Sequence, residues 1–225
     1  MAIKIWKFSL FAIFVVISVG CESPTTIPGD RTISSSAGRS SPRVEIFRGL
    51  GGYMPGAKKL QERLSEHEIA SKTWLGDNAA SAAKQILERQ SLAKDGDQSP
   101  IILLGYATGG GATKKVARIL KQHGVHVDAI ILIDPSFFEP VPKNVRYCYV
   151  AYRPEFWQMW NSIMRGNPVK LESAEHTKLT HVNLKTADNG EGRLRGESHI
   201  TITNNDWVQD LLTKEVLRIA ESADE

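Results

Sequence analysis

The chain has few of the features that announce a function early. Its 225 residues hold two cysteines, Cys21 and Cys148, and contain neither a close Cys pair nor an HExxH box. His123 and His126 flank a helix end. With no third ligand nearby they read as solvated side chains, so no metal or other cofactor is expected. Neither sign of charge dominates. Lys plus Arg number 28 against 25 Asp plus Glu, a formal +3, and from Val44 onward the two signs balance at 23 each. There is no basic stripe with interleaved aromatics, and no nucleic-acid partner is expected. No internal repeat is visible. At 41% hydrophobic and 24% charged the composition is that of an ordinary globular domain, which excludes a collagen, a coiled coil, a wholly disordered chain and a polytopic membrane protein. The length suits one domain with an appendage and is enough to bury a full core.

The appendage is N-terminal. Residues 1–20 carry Lys4 and Lys7 and then an uncharged apolar run from Phe8 to Val19. Twelve residues are too few to span a bilayer but fit the core of a signal peptide. The run closes on Ser18-Val19-Gly20-Cys21, small residues before a cysteine. This resembles a bacterial lipoprotein signal, with Ser18 where Leu is usual. The resemblance implies that Cys21 becomes the lipidated N-terminus and holds the protein to the membrane of the cell envelope, outside the cytoplasm. Cys148 then has no disulfide partner, and its apolar setting (RYCYVAY) suits core packing. Residues 21–43 are rich in Ser, Thr, Pro and Gly without apolar periodicity and read as a flexible tether. The globular domain spans 44–225.

That domain alternates strand and helix. Val44–Phe47 reads as a strand, Pro55 opens a helix bearing Leu60 and Leu64, and Ile69–Trp74 reads as a second strand. Asp77 is a candidate cap for a helix running to about Arg89. Ile101–Leu104 is a buried strand ending at Gly105. It precedes a helix (TKKVARILKQHG) that stops at Gly124. Two more apolar strands end at Asp134-Pro135 and Arg153-Pro154, and a last helix starts near Asn204-Asn205-Asp206. Ile200–Thr203 (ITIT) has the look of a strand. Strands separated by helices predict right-handed βαβ crossovers and a mostly parallel sheet covered on both faces, an α/β fold.

Sites in such sheets form at the carboxyl ends of strands. The sharpest of these ends is Gly105-Tyr106-Ala107-Thr108-Gly109-Gly110. Gly-x-x-x-Gly between strand and helix is the frame of a nucleophile elbow, whose tight turn holds its central residue in strained dihedrals. The central residue is Ala107, which has no lone pair and no proton to give.

Here the chain resembles the α/β-hydrolase family, of the lipase or thioesterase-like kind, as a three-layer sandwich. The resemblance covers essentially Val44 to the C-terminus. It rests on FRGLGGYMPGAKKLQERL, GYATGG, VDAIILIDP, VPKNVRYCYVAY and SHITITNNDWVQDLL in that order. It implies ester or thioester hydrolysis by a Ser, then an Asp or Glu, then a His. Carried over, Ala107 takes the nucleophile position, Asp134 the acid and His199 the base, with Glu155 the alternative acid. Leu50 and Thr108 would present backbone N–H groups to an oxyanion. Arg48 could clamp an anionic substrate or pair with Glu45. The apolar segment Pro154–Asn167, with Phe156, Trp157 and Trp160, would form a lid or acyl-binding wall, or complete the core over the sheet edge.

Three classes of function follow. One is a lipid-anchored hydrolase-fold protein that has lost esterase chemistry and binds a small acyl or ester ligand, or a partner, in the old cleft. Another is a weak or unconventional hydrolase using His199 and Asp134. The third is a phosphate or nucleotide binder at the Gly105–Gly111 loop, although neither GxxxxGK[ST] nor GxGxxG is satisfied there.

Overall fold

The computed structural model describes residues 42–93, 99–136, 139–154, 163 and 166–222. The signal segment, Cys21 and nearly all of the tether lie outside these residues. No helix among the described residues is long and apolar enough to cross a membrane.

Six parallel strands form one sheet: β1 (Arg43–Phe47), β2 (Ala70–Trp74), β3 (Ile101–Tyr106), β4 (Val127–Ile133), β5 (Val145–Tyr152) and β6 (Lys178–Asn183). They are ordered β2-β1-β3-β4-β5-β6. The principal helices are α1 (Ala57–Glu66), α2 (Ala79–Leu92) and α3 (Gly109–Gln122), with a one-turn α4 (Gly190–Arg193) before the long C-terminal α5 (Asp206–Ser222). Alternation along the strands divides the core into two layers. Ile102, Leu104, Ile131 and Ile133 face α1 and α5 through Leu60, Leu64, Leu212 and Val216. Ile101, Leu103, Ile130 and Leu132 face α2 and α3 through Ile86, Val116 and Leu120. Continuous apolar runs such as Ile101–Leu104 arise because both faces of the sheet are covered. This is a parallel-sheet, three-layer α/β sandwich, the architecture that the resemblance implies.

Three local readings are corrected. Ile200–Thr203 is not a strand: it forms turns that enter a short 3-10 segment at Ile202–Asn204. Asp77 does not cap α2 but sits inside a 3-10 turn, Gly76–Asn78, and no side chain caps the helix. Helix α3 begins at Gly109, four residues before the TKKVARILKQHG run, so its first turn is made of glycines. The sixth strand, KLTHVN, escaped the sequence reading. It is an edge strand paired to β5 alone, with every residue half-buried or exposed, so it carries no apolar run.

The strand order places the site. From β1 the chain steps outward to β2, then crosses back over β1 to β3 and continues the other way. The reversal opens a crevice between the carboxyl ends of β1 and β3, where Phe47 stands in register with Gly105. Arg48–Tyr53 and Ala107–Gly109 flank that crevice.

Candidate functional site

The strand-to-helix turn is built by close backbone approach. A Cβ on Gly105 would stand 2.8 Å from the Gly109 carbonyl oxygen and from the Gly110 N and Cα. One on Gly109 would fall 2.1 Å from the Phe47 carbonyl oxygen. Glycine at both positions lets β1, β3 and the start of α3 meet. Between them Ala107 adopts φ +49°, a left-handed conformation that L-residues with a Cβ rarely occupy. The surroundings hold it there. Its N–H donates to the Ile133 carbonyl at 3.0 Å, and its own carbonyl accepts the Gly110 and Ser136 N–H groups at 3.1 and 3.3 Å. The methyl group lies against Gly49.

Asp134, at the end of β4, has φ +42° and is fully buried. Its Oδ1 accepts the Arg153 backbone N–H at 2.6 Å, and its Oδ2 lies 3.2 Å from His199 Nδ1. Burial pushes the carboxyl above the usual range, and the bonds from His199 and Arg153 pull back against that shift. His199 sits in a turn closed by the Ser198 N–H donating to Thr201 Oγ1 and by the Thr201 N–H donating to the Ser198 carbonyl. Tyr106 supports it from beneath. The tyrosine ring stacks on the imidazole at 5.3 Å, and its hydroxyl donates to the His199 carbonyl. The Arg153 guanidinium donates to the Glu197 carbonyl on the same segment. With Nδ1 turned to the carboxylate, Nε2 has no hydrogen-bond partner among the described residues. An imidazole held this way can act as a base or acid through Nε2. The supporting roles of Tyr106 and the Arg153 N–H were not anticipated, because both depend on tertiary contacts that leave no local pattern.

Leu50 and Thr108 lie on either side of the crevice, and the backbone N–H of each has no partner among the described residues. Both line a cleft of about 690 Å³ walled by Gly49–Gly52, Leu75–Asp77, the α3 residues Thr108, Gly111, Ala112, Lys115 and Arg118, and Glu139. Ala107, Asp134 and His199 do not line it; the cleft reaches the apex through Thr108, the residue that follows Ala107. Glu45 is occupied: it accepts Trp74 Nε1 at 2.6 Å and Arg89 at 2.7 Å, and has Arg43 at 3.3 Å. Arg48 therefore does not pair with Glu45. Glu155, Phe156, Trp157 and Trp160 lie outside the described residues. Among the described residues no cluster of three or more His, Cys, Asp or Glu side chains could hold a metal ion.

No protein-family model and no curated protein sequence matches the chain. Solved structures do match. Est1E from Butyrivibrio proteoclasticus is 13% identical with a TM-score of 0.48, covering 81% of this chain and 89% of that one. A protein described as a hydrolase of the alpha/beta superfamily, from Xanthomonas campestris pv. campestris, is 11% identical with a TM-score of 0.35, covering 75% and 99%.

Proposed function

We propose that this chain is a lipid-anchored α/β-hydrolase-fold protein, impaired as a serine hydrolase, that binds a ligand or partner in the cleft beside a His–Asp pair. One observation carries the reading: Asp134 and His199 hold a catalytic-type contact while the strained apex next to them presents Ala107. In a serine hydrolase the base takes the proton of the apex hydroxyl, the alkoxide attacks the acyl carbon, and N–H groups stabilise the resulting oxyanion. In this reading His199 is the base, Asp134 its orienting carboxylate, and the Leu50 and Thr108 N–H groups, without partners among the described residues, the oxyanion donors; the oxygen is missing. In a well-studied protease, loss of the serine alone costs roughly 10⁶ in kcat. Thr108 is no replacement. Its backbone is helical (φ −64°, ψ −23°), one residue past the apex, so its hydroxyl starts from a different position and direction. Attachment through Cys21 rests on the small residues that follow the N-terminal apolar run.

The unpaired His199 Nε2 favours a second reading, in which a water beside Ala107 is deprotonated by His199 and attacks an ester or thioester directly. It would be slow, because a water is not held as a covalently placed hydroxyl is. The phosphate-binding reading is weaker. The Gly110 and Gly111 N–H groups are already spent on the Ala107 and Thr108 carbonyls, which leaves few donors for a phosphate.

The test is turnover of p-nitrophenyl butyrate and an acyl thioester by the full-length chain, comparing wild type, His199→Ala, Ala107→Ser and the double variant Ala107→Ser/His199→Ala. Expected are a silent wild type, an active Ala107→Ser and a silent double variant. Turnover by wild type that His199→Ala abolishes would replace the first reading by the second. Silence from Ala107→Ser with an intact fold would remove both. Membrane attachment is read separately, by whether Cys21→Ala abolishes palmitate labelling.

A further inference from the structure

We infer that the cleft recognises an acyl ligand bearing a second, negatively charged group, drawn by Lys115 on one wall and by the charge of Arg48 just behind Gly52 on the other. The inference rests on the reading above for where the acyl group sits, and it adds the ligand's chemical class. Arg48 follows β1, at the edge of the crevice where the strand order reverses. Its guanidinium has no hydrogen-bond or ion-pair partner among the described residues, and its Nε is sealed from water with none. The carboxylate nearest in sequence, Glu45, is taken by Trp74, Arg89 and Arg43. The guanidinium lies behind Gly52, its Cζ 3.7 Å from where a Cβ on that residue would stand. Gly52 and Leu75 both line the cleft, and Leu75 Cδ2 stands 2.6 Å from the same point, so the guanidinium lies one layer behind that wall, beside the Leu75 side chain.

On the α3 wall Lys115 is exposed and also without a partner among the described residues. The other charges lining the cleft do not cancel these two. Arg118 and Glu139 pair with each other at 2.6 Å, and Asp77 is a solvated carboxylate at the rim. A partly dehydrated guanidinium gains more from an incoming anion than a hydrated carboxylate loses beside it. The rest of the lining suits an alkyl chain: Leu50 and Leu75 are exposed at 81% and 39%, and Gly111 and Ala112 bring no bulky side chain into it. Thr108 and Lys115 are seven helical residues apart, a rise of about 10 Å. An acyl carbonyl near the Thr108 N–H would thus have its chain end near the lysine.

The experiment is calorimetric binding of monomethyl suberate, an anion at pH 7.5, and of neutral dimethyl suberate to the full-length chain. Wild type should bind the monoester at least tenfold more tightly, with a preference that weakens as salt is raised. Arg48→Met should bring the two esters within about twofold of each other, Lys115→Met should narrow the gap about threefold, and Arg48→Lys should restore part of it. Equal binding of both esters by wild type, no binding of either, or an unchanged preference in a natively folded Arg48→Met would each overturn the inference. If Arg48→Met does not fold, Arg48→Lys decides: a preference as large as wild type's overturns the guanidinium's role, and a reduced one supports it. Ala107→Ser turnover of neutral p-nitrophenyl butyrate reads the hydrolase scaffold alone. A silent Ala107→Ser beside an intact anion preference sinks that scaffold reading and leaves the anion site. Turnover without any anion preference does the reverse.

Discussion

Asp134→Asn should make the protein more stable at neutral pH while destroying what the His–Asp pair can do. The wild-type carboxyl is fully buried, and burial raises its pKa despite the bonds from His199 and the Arg153 N–H. In the folded state the ionised form is therefore at a disadvantage relative to the unfolded chain. For a raised pKa the sign is fixed. The contribution of this carboxyl to stability is fully present below its unfolded value near 4 and is lost as pH rises through the folded value. An asparagine keeps an oxygen for the Arg153 N–H and carries no charge to desolvate. Removing a charge that burial disfavours, while keeping the Arg153 contact, should raise the melting point at pH 7 by a few degrees. The gain should shrink toward zero as pH falls to about 4, where both proteins are neutral at this position. Differential scanning calorimetry of the two proteins from pH 4 to 8 measures it. In an Ala107→Ser background the same change offers His199 Nδ1 an amide N–H, fixes the wrong tautomer and should lower kcat by about 10⁴. An Asp134→Asn protein that melts lower than wild type at pH 7, or a Tm difference independent of pH, would refute the claim that desolvation governs this carboxyl.

Other outcomes follow from the same contacts. Tyr106→Phe removes the hydroxyl that holds the His199 carbonyl; it should cost about 1 kcal/mol by urea denaturation and lower kcat about tenfold in the Ala107→Ser background. Gly109→Ala would set a methyl 2.1 Å from the Phe47 carbonyl oxygen, backbone against backbone. It should destabilise by about 3 kcal/mol or prevent folding, and a melting point within a degree of wild type would contradict the packing described. In a Cys21→Ala variant the sole thiol is Cys148, which is fully buried and pushed up to about 12. Ellman's reagent should therefore modify it only as fast as the protein unfolds.

Much of the sheet was legible in the sequence because its central strands are buried on both faces and so read as unbroken apolar runs. The strand KLTHVN was not, since an edge position leaves its residues half-exposed and its pattern polar. ITIT misled for the opposite reason. Its alternation suggests a strand, but Thr201 is used to close the turn carrying His199, and Ile202 is buried beneath it. The glycines of GYATGGG read as a loop, yet three of them form the first turn of α3, where a side chain at Gly109 would collide with β1. At the site, the positions of Ala107, Asp134 and His199 came through the resemblance, and the structure brings the carboxylate and the imidazole within 3.2 Å. Neither the stacking of Tyr106 under His199 nor the lack of a partner for Arg48 among the described residues could be read from the chain. Each depends on which of several equivalent side chains the fold brings near.

The left-handed backbone at Ala107 also bears on heredity. Holding an L-residue with a Cβ in that conformation costs about 1–2 kcal/mol, and the fold already bears it, together with the glycines that permit the turn. Every alanine codon becomes a serine codon by one base change, G to T at its first position. A hydroxyl at the apex is thus separated from this protein by a single transversion and not by any rearrangement of the chain. In a library of single-base mutants selected for growth on an ester, position 107 is where the first survivors should map.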